Sequence, residues 1–321
     1  MLKVLDLFSG AGGFSKGFES AGYEIVCTIE NFKPVFTTYQ YNFPSTHVIP
    51  KDIKEVHSKE VIDEVGNIDV IIGGPPCEAF TMASIKIKRN PLDRLYVDPR
   101  GMLVLHFIRF VADLKPIFFV MENVAGILHP IIKNAIIKEF KRIGYDKIFL
   151  NILRAEDYGN PSIRRRVFIS NIKINPPKEK IRKTVRDALR DLPPPESVHD
   201  IPNHEPVMLS NKKMKALFKA KTGQSLIGFY GFDNKVRGNY IRLNFDKPAP
   251  VVMGKSRFIH PEENRLLTVR EHARLMSFPD NFIFFGGREI QFDQVGEAVP
   301  PILAKVIAEY CLNKSKELNL I

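Results

Sequence analysis

The sequence predicts an α/β fold, a mostly parallel sheet with helices on both faces joined to a smaller second domain. Three observations predict it. Apolar runs of strand length alternate with segments of helical period over the first half of the chain. The alternation stops after about residue 186, where Leu192-Pro193-Pro194-Pro195 breaks the chain and a stretch rich in turns, lysine and aromatics follows. Near the end, Pro300-Pro301 opens a helix with Ile302, Leu303, Val306, Ile307 and Tyr310 on one face, a stripe that needs a sheet to cover.

Taken in order, residues 4–7, 24–29, 70–72, 117–121 and 167–170 read as strands, being short and largely apolar. Residues 14–20, 34–41, 102–113 and 131–142 carry the helical period between them. The simplest path returns the last helix to the first sheet. Residues 1–185 and 281–321 are then one domain, and 186–280 a smaller insertion. No internal repeat or low-complexity tract interrupts this pattern.

With 321 residues, 44% of them hydrophobic and 26% charged, the chain can bury a substantial core. It contains no apolar run near the roughly 18 residues a membrane span needs, and its start lacks the pattern of a secretory signal. Three cysteines, at 27, 77 and 311, have no paired spacing, which fits a reducing, cytoplasmic setting. Cys27 reads as buried in the second strand and Cys311 as packed in the last helix. The histidines show no ligand spacing, so no metal is expected. Formal net charge is +11. Between residues 203 and 257, eleven Lys and Arg face three Asp and Glu. Such a surplus suits a polyanion partner, or simply a lysine-rich solvated surface.

Cys77 lies in Gly73-Gly74-Pro75-Pro76-Cys77-Glu78, directly after the apolar run Ile68-Asp69-Val70-Ile71-Ile72. Glycines and prolines there force a sharp turn at a strand's carboxyl end, the edge where open α/β sheets place their chemistry. Thiolate is the strongest common side-chain nucleophile near neutral pH. A small buried hydrophobe is the plainer reading of a lone cysteine.

The first strand leads through Asp6-Leu7-Phe8-Ser9-Gly10-Ala11-Gly12-Gly13-Phe14 into the first helix. Glycines at that junction let backbone N–H groups approach a ligand at a helix N-terminus. Glu30 ends the second strand, where a carboxylate suits ribose hydroxyls. Asp52, in Lys51-Asp52-Ile53, can accept from an adenine amino group. This order suits an adenosyl ligand, although tight turns in an ordinary α/β domain would look alike. The spacing Gly-x-Gly-Gly departs from the dinucleotide fingerprint and no Walker lysine is present, which favours S-adenosylmethionine over NAD or ATP.

Together with Pro75-Pro76-Cys77, these residues make the chain resemble the cytosine-C5 DNA methyltransferases. DLFSGAGGF is similar to the family's first motif and GGPPCEAFT to its catalytic motif. Met121-Glu122-Asn123-Val124 is similar to the Glu-Asn-Val motif, and Tyr158-Gly159 through Arg164-Arg165-Arg166-Val167-Phe168 to the motif of two arginines. Leu267-Thr268-Val269-Arg270-Glu271-His272-Ala273-Arg274 with Phe278-Pro279-Asp280, then Gly296-Glu297-Ala298-Val299-Pro300-Pro301, resemble the last two. Six motifs in family order run the length of the chain. Three positions depart from the family: Glu78 and Glu297 stand where it has Gln and Asn, and Ser162 where it has Gln.

The resemblance implies a Rossmann-like methyltransferase sheet with a smaller target-recognition domain, acting on double-stranded DNA within a short recognition sequence. It implies Cys77 as the nucleophile that adds to C6 of a flipped-out cytosine. Glu122 would stabilise the charge that develops on the ring, and Arg164 and Arg166 would hold the base carbonyl and lower the thiol pKa. S-adenosylmethionine would be held by Phe8, Ser9, Gly10, Ala11, Gly12, Gly13, Glu30, Asp52, Ile53, Pro75, Glu297 and Ala298. Residues 79–100 read as a loop closing over DNA. Thr81, Ser84, Lys86, Lys88 and Arg89 are its expected contacts, and Lys212 and Lys213 the contacts of the basic segment. Phe229, Tyr230, Phe232 and Tyr240 read as core. A partner restriction endonuclease fits this reading, a monomer suffices for it, and no membrane is involved.

Three rivals stand beside it. A tRNA cytosine methyltransferase on the same scaffold is slightly favoured by Thr81, but the Cys-Phe-Thr element of those relatives has no counterpart, since no cysteine lies between Cys77 and Cys311. An inactive binding module would be expected to lose Cys77 or Glu122. A zinc deaminase would need a cysteine where Phe80 stands.

Overall fold

The computed structural model describes residues 1–81, 90–227 and 236–321. The chain divides into two compact units. The first comprises Met1–Arg154, Arg165–Lys178 and Leu303–Ile321, and the second Ala155–Arg164 and Glu179–Ile302.

The first unit is built on seven strands: β1 (Lys3–Leu7), β2 (Glu24–Ile29), β3 (His47–Ile49), β4 (Val70–Gly73), β5 (Phe118–Asn123), β6 (Phe149–Arg154) and β7 (Arg165–Ser170). Their order across the sheet is β3-β2-β1-β4-β5-β7-β6. Neighbours from β3 to β5 pair in parallel, and β7 pairs antiparallel with both β5 and β6. The expected mostly parallel sheet is therefore present, with one reversed strand. β3 and β6 are absent from the sequence reading. β3 has only three residues, and β6 alternates polar and apolar side chains as Phe-Leu-Asn-Ile-Leu-Arg. β5 runs two residues beyond its apolar core and so takes Glu122 and Asn123 into the sheet.

Helices α1 (Gly13–Ser20), α2 (Lys33–Asn42), α3 (Ser58–Val65), α4 (Asp93–Tyr96), α5 (Leu103–Leu114) and α6 (Pro130–Arg142) belong to this unit. α5 and α6 bury apolar stripes against β5, where Phe119 stacks on Phe140 at 4.7 Å and meets Tyr145 edge-on at 5.2 Å. The last helix of the chain (Pro301–Glu317) buries Leu303, Ala304, Ile307, Ala308 and Cys311. Ile302, Val306 and Tyr310 of the expected stripe are only half-buried, because small Ala304 and Ala308 let the helix seat a face rotated from the bulky one. The Tyr23 hydroxyl donates to the Ala308 carbonyl at 2.9 Å. Cys27 and Cys311 are both fully buried. No helix among the described residues is long and apolar enough to cross a membrane.

The second unit has little regular structure. It contains α7 (Val185–Leu189), α8 (Asn211–Leu217), α9 (Val269–Leu275), α10 (Arg288–Glu297) and a two-stranded sheet of β8 (Ser225–Ile227) and β9 (Val236–Ile241). Capping boxes start α7 at Thr184 and Asp187, and α9 at Thr268 and Glu271. Elsewhere buried carbonyls find arginines in place of ladder partners. Arg242 donates to the carbonyls of Leu217, Ala220, His260 and Glu263 and to Asn264 Oδ1, at 2.7–3.0 Å. Arg270 likewise holds the carbonyls of Pro202, Pro279 and Phe282. Arg242 thereby ties α8 to β9 over a small core of Leu217, Leu226, Ile259 and Leu266. Tyr240 packs against that core, as the sequence suggested, whereas Phe229, Tyr230 and Phe232 lie outside the described residues.

Replacing Arg242 by leucine leaves several buried carbonyls without donors. It should cost at least about 3 kcal/mol, read as a lower denaturant midpoint. Lysine should recover only part of this, since one ammonium cannot span the carbonyls a planar guanidinium reaches.

Candidate active site

The turn bearing Cys77 leaves β4 at the carboxyl edge of the sheet. Gly73 is required there, because a Cβ would stand 2.2 Å from the Leu7 carbonyl oxygen of β1. Pro75 is buried, Cys77 half-buried, and a short 3₁₀ turn at Glu78–Phe80 follows. Asn123, fully buried at the end of β5, donates from Nδ2 to the Pro75 carbonyl at 3.0 Å and accepts the Val124 N–H at 2.9 Å. One amide thus fixes the turn that bears Cys77 to the neighbouring strand. Gly126 packs below, where a Cβ would lie 1.8 Å from the Phe80 carbonyl oxygen.

Glu122 precedes that asparagine. Its carboxylate lies over the turn, with Oε2 within 3.4 Å of where a Gly74 Cβ would stand. In the antiparallel register Glu122 faces Phe168, which places Arg166 two residues along the same face. Arg166 Nε meets Glu122 Oε1 at 2.8 Å. Cys77, Glu122 and Arg166 are therefore assembled in the first unit by three strands.

Burial pushes the Cys77 thiol above its ordinary pKa, and the charges of Glu122 and Glu78 push it further. Arg166 opposes them and is outweighed. Arg166 thus acts in the direction the sequence suggested, although the net shift is upward. Arg164 belongs to the second unit and directs its guanidinium to the carbonyls of Val252, Gly296 and Glu297 at 2.9–3.2 Å. It is a buried organiser of that backbone, 2% exposed.

The glycine loop after β1 takes three left-handed residues, Phe8 (φ 61°), Gly10 (φ 53°) and Gly12 (φ 93°). At Gly12 a Cβ would press to within 2.4 Å of the Phe43 ring, whereas at Gly10 it would meet nothing within 4 Å. Ser9, Ala11 and Gly13 are buried, and Ser9 Oγ has no hydrogen-bond partner among the described residues. Glu30 follows β2 and accepts the Gly10 N–H at 3.1 Å and the Phe32 N–H at 3.0 Å. Its burial raises its pKa despite these bonds. Asp52 is half-buried beyond β3 and pairs with Lys54 at 3.1 Å. The Lys54 N–H helps hold its carboxyl below the usual range. Ile53 is buried and its carbonyl is held by Arg109 at 2.8 Å. Glu297 is exposed at the end of α10 in the second unit, with Ala298 beside it.

Thr81 donates to the Glu78 carbonyl at 3.1 Å. Ser84, Lys86, Lys88 and Arg89 lie outside the described residues, as does the side chain of Lys212. Lys213 sits half-buried on α8. Ser162, one of the departures, is fully buried and donates to the Leu275 carbonyl at 2.7 Å. Glu78, another, is exposed beside the thiol. The sequence reading quoted Asn123 only as part of a motif and gave it no role. Its position at a strand end, next to a charged residue in an apolar run, was the available signal.

Residues 2–313 match the family model for C-5 cytosine-specific DNA methylase. Over 314 residues the chain is 50% identical to a candidate type II methyltransferase of Methanocaldococcus jannaschii, covering 96% of this chain and 98% of that one. It is 40% identical over 332 residues to the type II methyltransferase M1.HphI of Haemophilus parahaemolyticus, covering 97% and 87%. Among solved structures, a candidate DNA modification methyltransferase from an Escherichia coli prophage superposes with TM-score 0.79 at 26% identity, covering 98% and 99%. An Entamoeba histolytica methyltransferase shares the fold, with TM-score 0.69 at 16% identity over 98% of each chain. With a family match over nearly its whole length and relatives of this identity, the chain belongs to the C-5 cytosine-specific DNA methylases and is a DNA cytosine-5-methyltransferase.

Proposed function

We propose that the protein methylates cytosine within a short sequence of double-stranded DNA through a covalent bond between Cys77 and C6 of a flipped-out base. The observation that carries this reading is the Glu122–Arg166 pair beside the half-buried Cys77, on a turn that Asn123 pins to β5. Cytosine C5 is a weak nucleophile. Addition of the Cys77 thiolate to C6 makes C5 enamine-like and able to attack an electrophilic methyl group. Glu122 meets the ring's N3 edge and shares a proton with it as charge develops, while Arg166 keeps that carboxyl aimed. Loss of the C5 proton and elimination of Cys77 then free the base. A half-buried thiol at a sheet edge cannot reach C6 of a base stacked inside a duplex, which supports extrusion.

The residues of the glycine loop fit S-adenosylmethionine. Open space at Gly10 adjoins the Glu30 carboxylate, Ser9 offers an unpartnered hydroxyl, and Asp52 supplies a second carboxylate. When bound, that cofactor supplies an electrophilic methyl group on a sulfonium. Phe8, Ser9, Gly10, Ala11, Gly12, Gly13, Glu30, Asp52, Ile53 and Pro75 are its proposed contacts in the first unit. Arg164 acts as a positioning residue through the carbonyls it holds. The first unit is the proposed catalytic part. The second, with Lys213 and neighbouring lysines, is the proposed reader of DNA. The type II relatives support membership of a restriction-modification system with a cognate endonuclease.

Cys77→Ala should abolish methylation while S-adenosylmethionine binding, followed by calorimetry, stays within about twofold. Bisulfite sequencing of treated DNA reads out both the loss and the target site, and a parallel assay on tRNA tests the rival substrate. Glu122→Gln should slow methyl transfer by roughly 100-fold or more. Because the thiol is protonated at neutral pH and only its thiolate reacts, single-turnover rates of the wild type should climb from pH 7 to 9. Arg166→Gln removes the one charge that favours thiolate, so its rising limb should move to higher pH. A limb that stays in place contradicts that role.

A further inference from the structure

Directly beneath the glycine loop lies a buried polar chain that the methylation chemistry does not use. Asp6, on β1 two residues before Phe8, is 0% exposed. Its Oδ2 accepts the Ser15 hydroxyl of α1 at 2.5 Å, and Ser15 Oγ is 2.7 Å from the Tyr39 hydroxyl of α2. Tyr39 in turn supports the loop, since a Cβ at Gly12 would stand 3.1 Å from its ring. Asp6 Oδ1 has no hydrogen-bond partner among the described residues. A carboxyl group half satisfied in the core is costly unless its charge or its proton has a use.

We propose that the Asp6 carboxylate makes the cofactor site discriminate by charge, favouring the cationic sulfonium donor over its neutral demethylated product. This rests on the S-adenosylmethionine reading above. A full charge without solvent around it is weakly screened, so it acts over the few residues separating it from the loop. Donor and product share the adenosyl and amino acid groups and differ at the sulfonium charge.

Proton linkage supports the argument. Burial raises Asp6 to about 7, Glu30 adds to the rise, and the Ser15 bond opposes it. The groups around it are few. α1 presents Ser15, α2 presents Tyr39, and β2 presents Glu30 beyond its end, with the Thr28 hydroxyl bonded to the Asp6 carbonyl. Cys27 on β2 adjoins Tyr39 and stays a neutral thiol, its pKa pushed up to about 12. β4 presents only Val70, Ile71, Ile72 and Gly73. A bound cation favours the ionised form of Asp6, so donor binding releases a proton when the free carboxyl is protonated. The donor therefore binds more tightly as pH rises through 7. The neutral product gains little.

The test is calorimetric binding of S-adenosylmethionine and S-adenosylhomocysteine to the full chain at pH 6, 7 and 8. The ratio of donor to product affinity should rise by up to about tenfold from pH 6 to 8 in the wild type. It should be flat in Asp6→Asn, whose side chain keeps the shape without the charge. In Ser15→Ala the midpoint should move to higher pH, because the bond that opposes the rise is gone. A merely structural role for Asp6 would lower both affinities alike and leave the ratio's pH dependence in place, which overturns the proposal. Should Asp6→Asn fail to fold by circular dichroism, an unmoved midpoint in Ser15→Ala overturns it equally. Absence of binding by either ligand overturns the cofactor reading itself, whereas binding with a pH-independent ratio overturns the Asp6 inference alone.

Discussion

The site depends on a single buried amide. Asn123 closes β5 and holds the carbonyl of Pro75, and with it the turn that carries Cys77. Prolines supply stiffness but cannot say where a turn points. A buried hydrogen bond between two adjacent strands does, and leaving either partner unmet in the core would cost about 1–3 kcal/mol. Gly73 and Gly126 complete the constraint, since both let backbone pass where a methyl group could not fit. The position of Cys77 is thus set by strand pairing, not by the conformational preference of its own loop.

The reversed strand β7 matters for the same reason. Antiparallel pairing with β5 brings Arg166 diagonally onto Glu122, a contact that parallel strands in the same order would not make at that register. The thiol then sits among two carboxylates and one guanidinium, in a setting that keeps it protonated and inert until a substrate changes the balance. Such restraint suits the role proposed for Cys77, in which the thiolate adds to one ring atom.

Much of this was legible in the residues. Apolar runs and helical stripes located β1, β2, β4, β5 and β7 and the helices α1, α2, α5 and α6, because inner strands covered on both faces leave a nearly uninterrupted apolar record. β3, β6 and α3 left weaker records, being short or exposed on one side. Cys77, Glu122 and Arg166 could be picked from their motifs, but their mutual charges could not. Net thiol pKa reflects burial first, and burial is a property of the assembled sheet. Arg164 was misjudged because a run of three arginines, Arg164-Arg165-Arg166, does not reveal which side chains turn inward. Arg164 is 2% exposed, while Arg165 is exposed.

The guanidinium clamps of the second unit carry a wider consequence. Where Arg164, Arg242 and Arg270 collect carbonyls from segments far apart in sequence, the frame of the unit is stitched by a few side chains instead of by continuous ladders. Loops strung between stitches need no particular periodicity to stay in place. Evolution can lengthen, shorten or rewrite them while the stitches persist, so diversity of outer surface comes cheaply and vulnerability gathers at three arginines.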